Sequence, residues 1–76
     1  MAHPTFQVKK FKFLGLYEIH FGKDQEGFFF YEIEDLETLA MVDVKDDLTE
    51  KEFLEAVGCA LDPLELWEFQ QLVESL

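Results

Sequence analysis

The sequence predicts an α+β domain in which a three-stranded antiparallel meander packs against two C-terminal helices. Apolar and polar residues alternate through most of the first 45 positions, as they do along half-buried strands. Breaks rich in glycine or acid separate these runs, and the apolar spacing becomes helical after residue 49. A chain of 76 residues can build one small core, so we expect a single domain over residues 1–76.

The first predicted strand covers about residues 6–21 and has one aromatic face. The residues that share the parity of this face are Phe11, Phe13, Tyr17, Ile19 and Phe21. Leu14 and Leu16 interrupt the polar face on either side of Gly15. This interruption predicts a bulge or bend at the glycine.

Two further strands complete the predicted meander. The polar segment 22–27 begins and ends with glycine, which predicts a hairpin loop before a second strand at about 28–34. The faces of that strand carry Phe29, Tyr31 and Ile33 on one side and Phe28, Phe30, Glu32 and Glu34 on the other. An acidic turn at 35–37 leads into a third strand at about 38–44. One face of the third strand carries Ala40, Val42 and Val44, and the opposite face carries Asp43 and Lys45.

Two capping boxes mark the starts of the predicted helices. The segment 49–52 has threonine and glutamate at the spacing at which each side chain bonds the other residue's backbone N–H, which predicts a helix over about 50–61. The segment 62–65 repeats the box with aspartate and glutamate, and a proline occupies the first helical position. It predicts a second helix over about 63–75.

The composition excludes several classes of function. The chain has 17 Asp and Glu against 6 Lys, a net charge of −11, no arginine and one cysteine. Such a charge repels a phosphate backbone, so we expect no direct nucleic-acid binding. One cysteine excludes an internal disulfide and the cysteine-rich zinc motifs. Because the sequence shows neither a signal-peptide pattern nor a long apolar run, we expect a cytoplasmic protein that does not enter a membrane.

The first candidate binding surface is a field of carboxylates on the second strand and the turn after it. Glu32 and Glu34 point the same way about 6.6–6.8 Å apart, and Asp35 and Glu37 extend the row. This spacing is similar to a row of phosphates, so the field could occupy a basic nucleic-acid-binding groove of a partner as a mimic. The alternative is a solvated face that keeps an aromatic-rich protein soluble.

The second candidate surface lies on the last helix. Leu64 and Trp67 project away from the apolar stripe of that helix and fall near Glu68. An exposed tryptophan among polar residues is a common anchor for a partner protein. The alternative is that Trp67 folds back into the core near the start of the helix.

Metal binding and catalysis have weaker support in the sequence. The acidic segment 43–50 lacks the glycine and the twelfth-position glutamate of a calcium loop. Glu18 and His20 could form an acid–base pair on a strand, and Cys59 could act as a nucleophile, but no complete nucleophile–base–orienter set can be assembled. We therefore expect no cofactor, no metal site and no enzymatic activity.

The sequence supports two hypotheses about function. In the first, the protein is a regulator, inhibitor or immunity-type protein that docks on a basic surface of another protein. In the second, it is a structural subunit or adaptor, or a weak homodimer, held by an apolar patch of Trp67, Leu64, Phe28 and Phe30. Salt separates the two hypotheses, because it weakens charge-driven association and leaves apolar association intact.

Overall fold

The structure is a computed structural model that describes residues 8–76, and it shows an antiparallel sheet followed by two helices. The strands are β1 (Val8–Phe13), β2 (Tyr17–Lys23), β3 (Phe29–Asp35) and β4 (Met41–Leu48). The helices are α1 (Glu50–Gly58) and α2 (Pro63–Glu74). The strand order β1-β2-β3-β4 makes β1 and β4 the edges of the sheet. The predicted α+β class is confirmed, but the described residues contain four strands where three were predicted.

The fourth strand arises because the first predicted strand, 6–21, is a hairpin. The chain reverses at Leu14 and Gly15, which have φ angles of 57° and 68°. Two consecutive left-handed residues turn the backbone back on itself, whereas a bulge would only bend it. The position of the interruption was predicted correctly and its geometry was not. The first two residues of the predicted strand lie outside the described residues.

The second hairpin forms where the sequence predicted it. The Asp24 side chain accepts hydrogen bonds from the backbone N–H groups of Glu26 and Phe28, each at 2.9 Å. Gly27 adopts a φ of 92°, which a residue with a Cβ rarely adopts. On the strands beside this loop, the faces predicted to be apolar are buried. Their buried members are Ile19 and Phe21 on β2 and Phe29, Tyr31 and Ile33 on β3.

The last strand also differs from its prediction. It begins at Met41, three residues later than expected, and extends to Leu48. Val44 lies on the face of the sheet away from the helices, opposite Glu32, and is exposed. Asp43 instead pairs with Ile33 across the sheet.

A hydrogen bond explains why Asp43 faces the helix side. The Tyr31 hydroxyl donates to the Asp43 carboxylate at 2.7 Å, in a partly buried site. Because a buried tyrosine hydroxyl needs a polar partner, this bond favours the acid over a valine on that side of β4. Burial raises the pKa of Tyr31 above its usual range, and the hydrogen bond and negative charge of Asp43 raise it further.

Both predicted capping boxes are present. In α1, the Thr49 hydroxyl accepts from the Glu52 N–H, and the Glu52 carboxylate accepts from the Thr49 N–H. In α2, Asp62 and Glu65 form the same reciprocal pair. The first helix ends at Gly58, earlier than predicted. Among the described residues, neither helix has the length and apolarity that crossing a membrane requires.

An aromatic core joins the helices to one face of the sheet. Phe53 of α1 is fully buried, and its ring centroid lies 4.9 Å from that of Phe29 and 5.6 Å from that of Phe69 on α2. Phe21 and Tyr31 also place their rings within about 6 Å of Phe53. Phe53 is therefore the side chain through which the sheet, α1 and α2 meet.

Replacing this ring should remove most of the stability of the fold. We expect Phe53→Ala to lower the free energy of unfolding by about 3–5 kcal/mol, because it leaves a cavity among four other rings. Phe28→Ala removes a ring that is 40% exposed and should cost less than about 1 kcal/mol. Urea unfolding followed by circular dichroism measures both. Equal losses in the two variants would contradict the central position of Phe53.

The raised pKa of Tyr31 predicts a loss of stability at alkaline pH. Above about pH 10 the unfolded chain loses the tyrosine proton while the folded chain keeps it, so the free energy of unfolding falls as pH rises. One such group contributes a slope of up to about 1.4 kcal/mol per pH unit until the pH reaches the folded-state pKa.

Tyr31→Phe should remove this contribution, and Tyr17→Phe should retain it. Urea unfolding between pH 8 and pH 12 compares the two variants with the unchanged protein. Parallel curves for the unchanged protein and Tyr31→Phe above pH 10 would show that the tyrosine is not responsible.

Candidate functional site

One face of the sheet has no helix over it in the part of the chain that the structure describes, and we call it the open face. In register order, it carries Lys12, Glu18 and Glu34 in one row and Lys10, His20 and Glu32 in the next. Glu18 and His20 of β2 therefore share a face of the sheet with Glu32 and Glu34 of β3. The helices lie on the opposite side of the sheet, where Phe21 and Tyr31 point.

His20 lies between two carboxylates on this face. Its Nε2 is 3.2 Å from Oε1 of Glu18 and 3.4 Å from Oε1 of Glu34. The three side chains are half-buried, and the ligand atoms that they offer all lie within 4.8 Å of one another. Glu18 and Glu34 are brought together because they are directly opposite in the β2–β3 register. The sequence showed the Glu18–His20 pair, but not that Glu34 joins it.

The ring nitrogen at the centre of this group is poorly satisfied. Nε2 of His20 is buried, and within residues 8–76 it has no hydrogen bond of acceptable geometry, although both carboxylate oxygens are close. A buried polar atom of this kind needs an explanation, because most find a partner. A cation shared by all three side chains would provide one.

Of the residues considered for catalysis, Cys59 lies apart from Glu18 and His20. Cys59 follows α1 and is exposed on the helix side of the molecule, whereas His20 points to the open face. Glu18 is therefore the residue of this set that the structure places beside His20. The acidic segment 43–50 forms no comparable group within the described residues, since the three-residue set of carboxylates and imidazole is Glu18, His20 and Glu34.

The four residues of the predicted carboxylate field do not form one continuous exposed row. Glu34 belongs to the group around His20, and Oδ1 of Asp35 accepts hydrogen bonds from the N–H groups of Glu37 and Thr38. Glu32 and Glu37 are exposed. Two of the four carboxylates therefore have structural partners of their own.

The outer face of α2 carries an exposed apolar pair. Leu64 is 67% exposed and Trp67 is 59% exposed, one turn apart on the helix. The exposed polar residues of the same face are Glu68, Gln71 and Glu74. The core alternative for Trp67 is therefore wrong, and the side chain is available to solvent. We call the surface formed by Leu64, Trp67, Glu68, Gln71 and Glu74 the α2 outer face.

Phe28 and Phe30 do not extend this pair into a single patch. Phe30 lies on β3 opposite Gly22, on the open face, and Phe28 lies in the loop before β3. The α2 outer face lies on the opposite layer. The four-residue apolar patch considered from the sequence is therefore two separate surfaces.

An apolar groove that the sequence did not reveal lies at the end of the sheet near the β1–β2 turn. Its lining residues are Phe13, Leu14, Tyr17, Ile33, Val42 and Ala60. The groove forms because the turn and the start of β4 both leave apolar side chains uncovered, and these segments are distant in sequence. Leu14 is held there by its backbone N–H, which donates to the Glu65 carboxylate at 3.2 Å.

The fold and the surfaces define a two-layer α+β protein with an open sheet face that carries both charged and apolar side chains and with an acidic helical layer. Comparisons with known protein families, with curated proteins and with solved structures return no significant match.

The exposure of Trp67 predicts its fluorescence. As the single tryptophan of the chain, it should emit at the wavelength of a solvent-exposed indole and be quenched efficiently by acrylamide. Unfolding in urea should shift the emission only slightly, because much of the ring is already hydrated. Emission at the wavelength of a buried indole, protected from acrylamide, would contradict the exposed position.

Proposed function

We propose that this protein is a non-enzymatic binding module that docks through the α2 outer face onto a basic surface of another protein. Regulators, inhibitors and immunity-type proteins act in this way, and we assign the protein to that group. The observation that carries the proposal is the exposure of Trp67, at 59%, beside Leu64. The core already contains a dense set of aromatic rings, so Trp67 is not needed to complete it.

The chemistry of the α2 outer face suits a binding anchor. An indole gains free energy when it leaves water, and tryptophan is among the residues that contribute most to protein–protein binding. Leu64 widens the apolar centre, and Glu68 and Glu74 form a polar rim around it. A rim of this kind excludes water from the anchor, and its charge makes binding selective for partners of opposite charge.

The charge around this anchor favours a basic partner. Residues 49–76 contain seven Asp and Glu and one Lys, and α2 itself has no basic residue. Such a surface attracts positive patches and raises the rate of encounter with them. The open face is less suited to this role, because Lys10 and Lys12 lie on it with the glutamates.

A second copy of the chain is the alternative occupant of the same surface. The apolar pair of Leu64 and Trp67 could pack against its counterpart in a homodimer, as the adaptor hypothesis requires. A net charge of −11 on each copy opposes this association at low salt. Charge therefore favours the basic partner.

Site-specific crosslinking in the source cells tests which occupant is present. A photoreactive amino acid at Gln71 lies on the α2 outer face, and the same amino acid at Gln25 lies in the exposed β2–β3 loop as a matched control. We expect the Gln71 probe to capture one protein with a basic surface that the Gln25 probe does not capture. Equal capture from both positions, or crosslinks only between copies of the chain, would contradict the proposal.

Binding to the captured protein then gives the energetic test. Trp67→Ala should weaken the affinity at least about 30-fold, as loss of a central aromatic anchor does. Glu68→Gln should have a smaller effect and reduce the salt dependence of association. Phe28→Ala, which changes an exposed ring in the β2–β3 loop, should leave the affinity unchanged. An affinity that does not weaken with several-fold more salt would exclude a charge-guided interaction.

A further inference from the structure

The geometry points to a binding site for a divalent transition-metal ion, formed by Glu18, His20 and Glu34 on the open face. The proposed ligand atoms are Nε2 of His20 and one carboxylate oxygen from each glutamate, which lie within 4.8 Å of one another. This inference does not depend on the docking surface on α2. It also departs from the expectation of no metal, which rested on the single cysteine and on the acidic segment 43–50.

The distances between the ligand atoms fit a metal centre. With metal–ligand bonds of about 2.1 Å, neighbouring ligands are separated by about 3.4 Å in a tetrahedron and about 3.0 Å in an octahedron. Nε2 of His20 lies 3.2 Å from Oε1 of Glu18 and 3.4 Å from Oε1 of Glu34. Two of the three distances between ligand atoms therefore already match the distances found around a bound metal ion.

The state of the His20 nitrogen is an independent observation in favour of a ligand. Nε2 is buried and has no acceptable hydrogen bond within the described residues, although its side chain is only partly covered. A neutral imidazole directs a lone pair from this atom, and a metal ion placed between the three side chains would accept it. The same ion would neutralise two carboxylates held close together.

The backbone preorganises this group. Glu18 and His20 are alternate residues on β2, and Glu34 is opposite Glu18 on β3. Both strands are internal to the sheet, so their ladders fix the three Cα positions on both sides. Sites built on regular elements hold their ligands more accurately than sites on loops.

The surroundings permit a cation and leave one coordination position open. Glu32 adds negative charge across from His20, while Lys10 and Lys12 on β1 reduce it. Both lysines are exposed, so their ammonium groups can extend into water away from the site. Because no described helix covers this face, water can occupy the remaining position, as it does in three-ligand zinc sites.

The mixed ligand set selects among metals. Imidazole binds zinc and its transition-metal neighbours well, whereas calcium and magnesium prefer sites made only of oxygen. Zn²⁺ is therefore the appropriate probe, with Mg²⁺ as the contrasting ion. The competing arrangement is a protonated imidazole paired with the two carboxylates, which would need no metal.

Calorimetric titration with Zn²⁺ tests the site in the full chain. His3→Ala is introduced throughout, so that His20 is the single histidine. We expect one saturable Zn²⁺ site per chain, with at least about tenfold weaker binding in Glu18→Gln, His20→Gln and Glu34→Gln. Mg²⁺ at the same concentration should not compete. Zinc should also shift the imidazole proton resonances of His20 in the NMR spectrum.

Glu32→Gln is the matched control, because it removes the same charge from the same face of β3 without removing a ligand. It should weaken Zn²⁺ binding less than about threefold, as expected for an exposed charge nearby. Circular dichroism verifies that each variant is folded, and the substituted residues of the open face lie outside the core.

Two results would overturn the proposal. Absence of saturable binding up to about 1 mM Zn²⁺ would leave the protonated-imidazole arrangement as the explanation of the cluster. Equal weakening in Glu32→Gln and Glu34→Gln would show that Zn²⁺ responds only to the charge of the surface. The docking experiments would be unaffected by either result, because they depend on α2.

Discussion

The packing of Phe53 against the sheet is the contact on which the other features of the molecule depend. Its ring lies within about 6 Å of Phe21, Phe29 and Tyr31 on the sheet and of Phe69 on α2. The two helices, of nine and twelve residues, both pack on this face of the sheet. With its described helices on one side, the sheet presents its other side to water, and that side can hold charged groups.

The composition of the open face follows from the period of a β-strand. When Ile19 and Ile33 enter the core, Glu18, His20 and Glu34 must point outward, because neighbouring residues alternate between faces. The antiparallel register then decides which outward residues meet. A slip of one residue on either strand would bury the charges and expose the isoleucines, so the same core that stabilises the fold also keeps the carboxylates and the imidazole together.

Short-range signals in the sequence were sufficient for the helix starts and the buried faces of the central strands, whereas they left Trp67 open between an exposed anchor and a core residue. Capping and periodicity involve residues at most a few positions apart, so one sequence reveals them. The β1–β2 turn was only located, because Leu14 gives no local sign that it adopts a positive φ. The inward position of Asp43 depends on the Tyr31 hydroxyl, and the contact of His20 with Glu34 depends on strand register. Both involve residues at least twelve positions apart, which local patterns do not describe.

The two proposed surfaces lie on opposite layers, and this separation makes them electrically distinct. At physiological salt the Debye length is about 8 Å, so exposed charges on different surfaces influence each other weakly. Glu68 and Glu74 are exposed on the opposite layer, where solvent and salt weaken the effect of a charge added on the open face. Since the helices cover the aromatic core from one side only, a ligand on the open face contacts the sheet without touching the α2 outer face. Occupation of either surface should then leave the other able to bind.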